Sequence, residues 1–183
     1  IKNVSFNKPD ARPVEIGHVL VGGVPFPDAF DLGQWTMASA VAYGWGGPRL
    51  VMGHCFASPT GGEHFGEPVH GYAELSKNPF DVFVFGHDHT DGGVVEVMRD
   101  VAPGQTTKQT FINLGALSRG SLAIDDVTRR VTCAVIEFNG QDHRVVQVEL
   151  AARPAGELFD LAHKAQQEAE QRQVAEFVES LAL

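Results

Sequence analysis

The sequence predicts an α/β fold whose second half is rich in sheet, and three observations carry that prediction. Residues 49–56 and 81–85 are short, continuous apolar runs, the pattern of strands buried on both faces. Residues 28–43 place Phe30, Leu32, Trp35, Ala38, Val41 and Ala42 nearer to helical than to strand spacing. From residue 94 onward, four runs rich in Val, Ile, Thr and Phe follow one another. Strand–helix–strand–helix–strand and then a strand meander is an α/β arrangement.

In chain order, residues 14–26 read as one strand ending in Pro-rich turn chemistry, and 28–43 as a helix. Residues 49–56 form a buried strand, 57–68 a Gly/Pro/Ser loop and 69–78 a short helix before the strand at 81–85. The later strands are 94–99, 107–114, 130–138 and 143–150, with Asn139-Gly140 as the hairpin signal between the last two. The Pro154 region ends the sheet, and 157–181 is helical. Its apolar stripe, Leu158, Leu161, Ala162 and Ala165, is interrupted by a polar turn at 166–173 and resumes at Val174, Phe177, Val178 and Leu181. A domain over 1–154 thus carries a helical tail over 155–183. The two apolar ends of that tail call for a cover, such as a partner protein or a second copy of the chain.

The 183 residues, 43% hydrophobic and 20% charged, are those of one ordinary globular domain with a core. A net charge of −9 argues against a broad basic surface for nucleic acid. Phosphate chemistry stays open, because divalent cations reverse the local sign. No apolar stretch approaches the roughly 20 residues of a membrane span, and the first residues lack the blocks of a signal peptide. Cys55 and Cys133 lie in apolar runs and read as free thiols of a reducing compartment. The expectation is a cytoplasmic protein with no membrane partner.

The chemistry concentrates in Gly86-His87-Asp88-His89, at the end of the run Asp81-Val82-Phe83-Val84-Phe85. A second run, Arg49-Leu50-Val51-Met52, leads into Gly53-His54. Each glycine is expected to let the backbone turn at the strand end. His87 and His89, two apart, are expected to point to one side. Imidazole suits first-row metals such as Mn, Fe, Zn and Co. One histidine near a strand end is more often a satisfied structural residue, but His54, His87 and His89 together favour a metal site.

Leu50-Val51-Met52-Gly53-His54, Phe83-Val84-Phe85-Gly86-His87-Asp88-His89 and the turn Asn113-Leu114-Gly115-Ala116-Leu117-Ser118-Arg119 resemble the C-terminal half of a calcineurin-like metallophosphoesterase. Ala116 stands where that family often has Ser. The resemblance spans residues 14 to 150. The helical tail after a meander is reminiscent of SbcD-like DNA-repair nucleases. The resemblance implies a sandwich of two mixed β-sheets flanked by helices, with two divalent ions (Mn, Fe or Zn) at the strand ends. It implies that His54 and His87 hold one metal and His89 the other. A metal-bridging hydroxide would attack the phosphorus of a phosphate ester, in a phosphodiesterase or nuclease acting on DNA.

The family's first three motifs, Asp-x-His, Gly-Asp-x-x-Asp and Gly-Asn-His-Asp/Glu, are absent. They supply the bridging carboxylate, the asparagine ligand and the catalytic histidine, so no catalytic residue is assigned here. The chain is then either the C-terminal portion of a longer domain, completed by an N-terminal half or another chain, or a degenerate member. The non-Met start and the ordered C-terminal motifs favour the first. The second corresponds to a non-catalytic scaffold that binds a protein partner.

Other residues carry weaker signals. Arg119 is a candidate phosphate contact, since its planar fork suits a phosphate. Glu63, His64 and His70 lie in or beside the Gly61-Gly62 loop, from which His64 is a candidate substrate contact. Asp88 and Asp91 are candidates to orient an imidazole or members of a solvent-facing turn. His18 reads as a core or edge residue, Arg129 and Arg130 as hairpin surface charge, and Cys55 as buried despite adjoining His54.

Overall fold

A computed structural model describes residues 14–26, 28–42, 44–117 and 127–181. Arg119 and Ser118 lie outside them, so the phosphate-contact expectation for Arg119 is not addressed. The architecture is mixed α/β: a mixed sheet, a separate two-stranded sheet and a few helices.

The large sheet has the strand order β1-β2-β3-β6-β8-β7. Its centre is parallel: β2 (Val19–Val24), β3 (Arg49–Ser58), β6 (Val82–His87) and β8 (Gln105–Asn113). The edges are antiparallel, β1 (Val14–Ile16) on β2 and β7 (Gly93–Ala102) on β8. Asp81, just before β6, ties that strand to the start of β3 and to the middle of β8. Its carboxylate accepts the Arg49 amide at 2.7 Å, its amide donates to Arg49 O, and its carbonyl accepts the Thr110 amide.

The continuous apolar runs at β3 and β6 are central strands, but the expected two-sided burial does not hold throughout. Along β3 the side of Met52 (42% exposed) and His54 is open, while Val51, Gly53 and Cys55 are buried. One face packs α1 (Leu32–Ala42), where Trp35 is fully buried against Phe83 and Phe85 and its indole N–H donates to Ala29 O. Asp31 caps this helix by accepting the Gly33 amide. Tyr72 and Phe111 stack at 4.4 Å in the same core. The other face is met at β8 by the hairpin of β9 (Thr132–Asn139) and β10 (Asp142–Glu149), which seats His143 against the Thr110 hydroxyl at 2.7 Å.

Four expectations change. The strand at 14–26 is broken in two at Gly17 (φ +63), and His18 sits exposed in that turn rather than in a strand. Residues 57–68 are not all loop: β4 (Gly62–His64) pairs with β5 (Glu67–Gly71), and β5 runs parallel to β3. The predicted helix at 69–78 shrinks to α2 (Tyr72–Leu75), because residues 69–71 complete β5. In the last hairpin the two-residue loop is Gly140-Gln141, with Gly140 at φ +61, one residue later than the Asn-Gly signal.

After α3 (Ala155–Leu158), helix α4 (Leu161–Leu181) is solvent-exposed along most of its length, including Val174, Phe177 and Val178. Among the described residues, no helix is long and apolar enough to cross a membrane.

Candidate metal centre

The site lies where β3 and β6 approach their C-terminal ends. His54 is paired in register with Gly86, and Cys55 with His87. Gly53 does not mark a turn, because β3 continues to Ser58. Its lack of a side chain serves packing instead: a Cβ there would fall 2.3 Å from the Trp35 ring. At β6 the positive φ belongs to His87 (+92), not to Gly86. A non-glycine residue held there costs about 1–3 kcal/mol, and such strain clusters at functional positions. It re-aims the imidazole out of the strand's alternation.

The result is a tight pair. His87 Nδ1 lies 3.1 Å from His54 Nε2. The opposite nitrogen, Nε2 of His87, donates to Glu67 Oε2 at 2.7 Å. Because a carboxylate accepts, Nε2 is the protonated nitrogen of the neutral ring, and Nδ1 is the one that faces His54. Burial, then the neighbouring His87 and His89, hold the His54 imidazole below its ordinary pKa and keep it neutral near pH 7. Aromatic rings wall the pair: Phe56 meets the His87 ring edge-on at 4.5 Å, and Phe26 stacks on it at 5.7 Å.

Glu67 was not legible beforehand, since it falls in a segment read as loop. Only the β3–β5 pairing carries it to the site. His89 is exposed, and among the described residues its ring makes no hydrogen bond. Exposure separates His89 from the hydrogen-bonded pair, yet it lies near enough to His54, with His87, to act electrostatically on that imidazole. Asp88 Oδ1 accepts the Thr90 amide and hydroxyl, and Asp91 Oδ1 accepts the Gly93 amide. Both aspartates shape the turn, and among the described residues neither carboxylate is hydrogen-bonded to an imidazole.

The 113–117 turn buttresses that loop from beneath. Asn113 Oδ1 accepts the Gly115 amide, and Ala116 N donates to His89 O. Gly115, at φ +70, packs so closely that a Cβ would fall 2.5 Å from His89 O.

His64 lies 4.9 Å from Phe56 and so joins the aromatic wall, while Glu63 is exposed. His70 is buried, with Nε2 2.7 Å from Ala29 O, a structural placement. Cys55 is buried in the core, and burial pushes its thiol up to about 12, so it offers no thiolate. Arg130 makes an exposed ion pair with Glu149, as expected of hairpin surface charge. An apolar cleft of about 380 Å³, lined in part by Val24, Pro25, Met52 and Val84, opens beside His54.

Among the described residues, no group of three or more His, Cys, Asp or Glu side chains is arranged to hold a metal ion. The fit is therefore that of two ligands. Imidazole nitrogens about 2.1 Å from one cation, at octahedral or tetrahedral angles, stand about 3.0–3.4 Å apart. The 3.1 Å separation of His54 Nε2 and His87 Nδ1 falls in that range, and Glu67 occupies the outer position of a carboxylate–histidine–metal arrangement. No family model, no curated protein and no solved structure matches this chain.

Proposed function

We propose that the chain is the C-terminal portion of a metal-dependent phosphoesterase of the calcineurin-like class. Its one mixed sheet accords with that class, whereas its second sheet is an antiparallel hairpin rather than the mixed sheet expected. The observation that carries the reading is the convergence of His54 Nε2 and His87 Nδ1 at 3.1 Å, with His87 held at φ +92. A histidine pair that merely satisfied itself would need neither the strained backbone nor the carboxylate behind it.

His54 and His87 would each offer a neutral nitrogen to one cation, while Glu67 fixes the His87 tautomer. His89 lies on the adjoining turn, where it would serve a second. When bound, divalent cations supply Lewis-acid stabilisation of phosphoryl charge and an ionised water at neutral pH. The bridging carboxylate would come from residues outside this chain. The substrate is a phosphodiester, with DNA suggested by the SbcD-like order of meander and helical tail.

Cobalt(II) titrated into the chain is expected to give a d–d absorption band, lost in His54→Ala and in His87→Ala. The polypeptide extended upstream is expected to hold two ions and to hydrolyse bis-p-nitrophenyl phosphate, with activity lost in His89→Ala. No band in the chain, together with no metal and no turnover in the extended protein, overturns the proposal. In that outcome the exposed apolar residues of α4 favour the second reading, a scaffold that binds a protein partner.

A further inference from the structure

The hairpin β4–β5 ends in a two-residue turn, Phe65-Gly66, with φ +52 and +78. A turn with both central residues at positive φ ordinarily carries Asn, Asp or Gly at the first position. Phenylalanine there is strained, and burial does not compensate, since Phe65 is 89% exposed. Turn formation does not call for this side chain, and neither does the core.

What the position does supply is a ring in a line of rings. Phe65 lies 4.1 Å from the His64 ring, His64 lies 4.9 Å from Phe56, and Phe56 lies 4.5 Å from His87. The line begins in solvent and ends at the histidine pair. The described side chains of this line carry no Lys or Arg. A ligand there would be gripped through its flat face rather than through its charge.

We infer that the His64–Phe65 tip is a stacking platform for a planar aromatic ring borne by the ester that the His54–His87 site receives. The inference rests on the phosphoesterase reading and narrows its substrate to esters of an aryl alcohol or of a nucleoside. Exposed aromatic side chains hold such rings at about 1–3 kcal/mol each, whichever ring is presented.

Phe65→Trp places a reporter on the platform, with the unmodified chain as the baseline for Trp35 and Trp45. Indole emission is expected to be quenched saturably by p-nitrophenyl phosphate, thymidine 5′-phosphate or both, and not by methyl phosphate. A response to the first alone assigns an aryl group, and to the second alone a nucleobase. Calorimetry on Phe65→Ala is expected to show about tenfold weaker binding of the responding ester, with methyl phosphate unaffected. A linear, unsaturable quench, or equal affinities in Phe65→Ala and the unmodified chain, overturns the platform. If that happens while the extended protein still hydrolyses bis-p-nitrophenyl phosphate, the platform alone is lost. Absence of both metal and turnover in the extended protein instead removes the reading beneath it.

Discussion

Glu67 accepts a 2.7 Å hydrogen bond from Nε2 of His87, the nitrogen opposite the one that faces His54. A carboxylate in this position orients a ligating imidazole and raises its basicity, and its loss ordinarily weakens metal affinity about 10- to 100-fold. Glu67→Ala is expected to weaken cobalt binding by at least about tenfold, with Glu67→Gln intermediate because an amide oxygen still accepts. Calorimetric titration of both variants measures it. Unchanged affinity in Glu67→Ala would show that the carboxylate only decorates the surface.

Gly115 supports His89 through backbone proximity. Gly115→Ala combines a φ of +70 with a Cβ 2.5 Å from His89 O, and is expected to cost about 2 kcal/mol or more. Thermal melting should fall by roughly 4–8 °C. Gly140→Ala, also at positive φ but with open space around the added carbon, should lose less. Equal losses in the two variants would remove the packing argument and leave only the backbone conformation.

His143 predicts a pH dependence of stability. Burial holds its imidazole below the ordinary 6.5, and Lys108 adds to the effect; Asp142 and Glu96 oppose it. The folded state therefore binds the proton less readily than the unfolded chain. Stability from this group is complete above about 6.5 and declines as pH falls through and below that value. In His143→Gln, which can still bond to Thr110, denaturant-derived stability is expected to fall less steeply between pH 6.5 and 5. An identical slope would assign the acid sensitivity to other groups.

The tail predicts an association. Val174, Phe177 and Val178 are each about 60% exposed on α4, more apolar surface than a lone helix usually presents to water. Deleting residues 157–183 is expected to leave cobalt binding by His54 and His87 intact and to lower the apparent size on size-exclusion chromatography by more than the mass removed. An unchanged oligomeric state would count against the helix as a contact.

Much of the frame was legible. The two continuous apolar runs became the central strands β3 and β6, and the later runs rich in Val, Ile, Thr and Phe became two hairpins, because β-branched and aromatic side chains pack well on a pleated, half-buried surface. The segment 57–71 was not legible. Its Gly and Pro content signals turns, yet β5 is held by parallel pairing to β3, a contact between distant residues that no local pattern records. Glu67 was missed for that reason, and Gly53 was misread as a turn residue when it makes room for Trp35.

By itself the sequence determined that His54 and His87 would lie on two buried strands, because short continuous apolar runs bounded by turn residues suit the inside of a sheet. Tertiary structure decided which nitrogens meet, that His87 rather than Gly86 bears the positive φ, that Glu67 stands behind it, and that His89 is left exposed outside the hydrogen-bonded pair. Those outcomes depend on strand register and on the packing of Trp35 and the 113–117 turn. Side-chain chemistry names the candidates, but only the pairing of strands distant in sequence sets their distances.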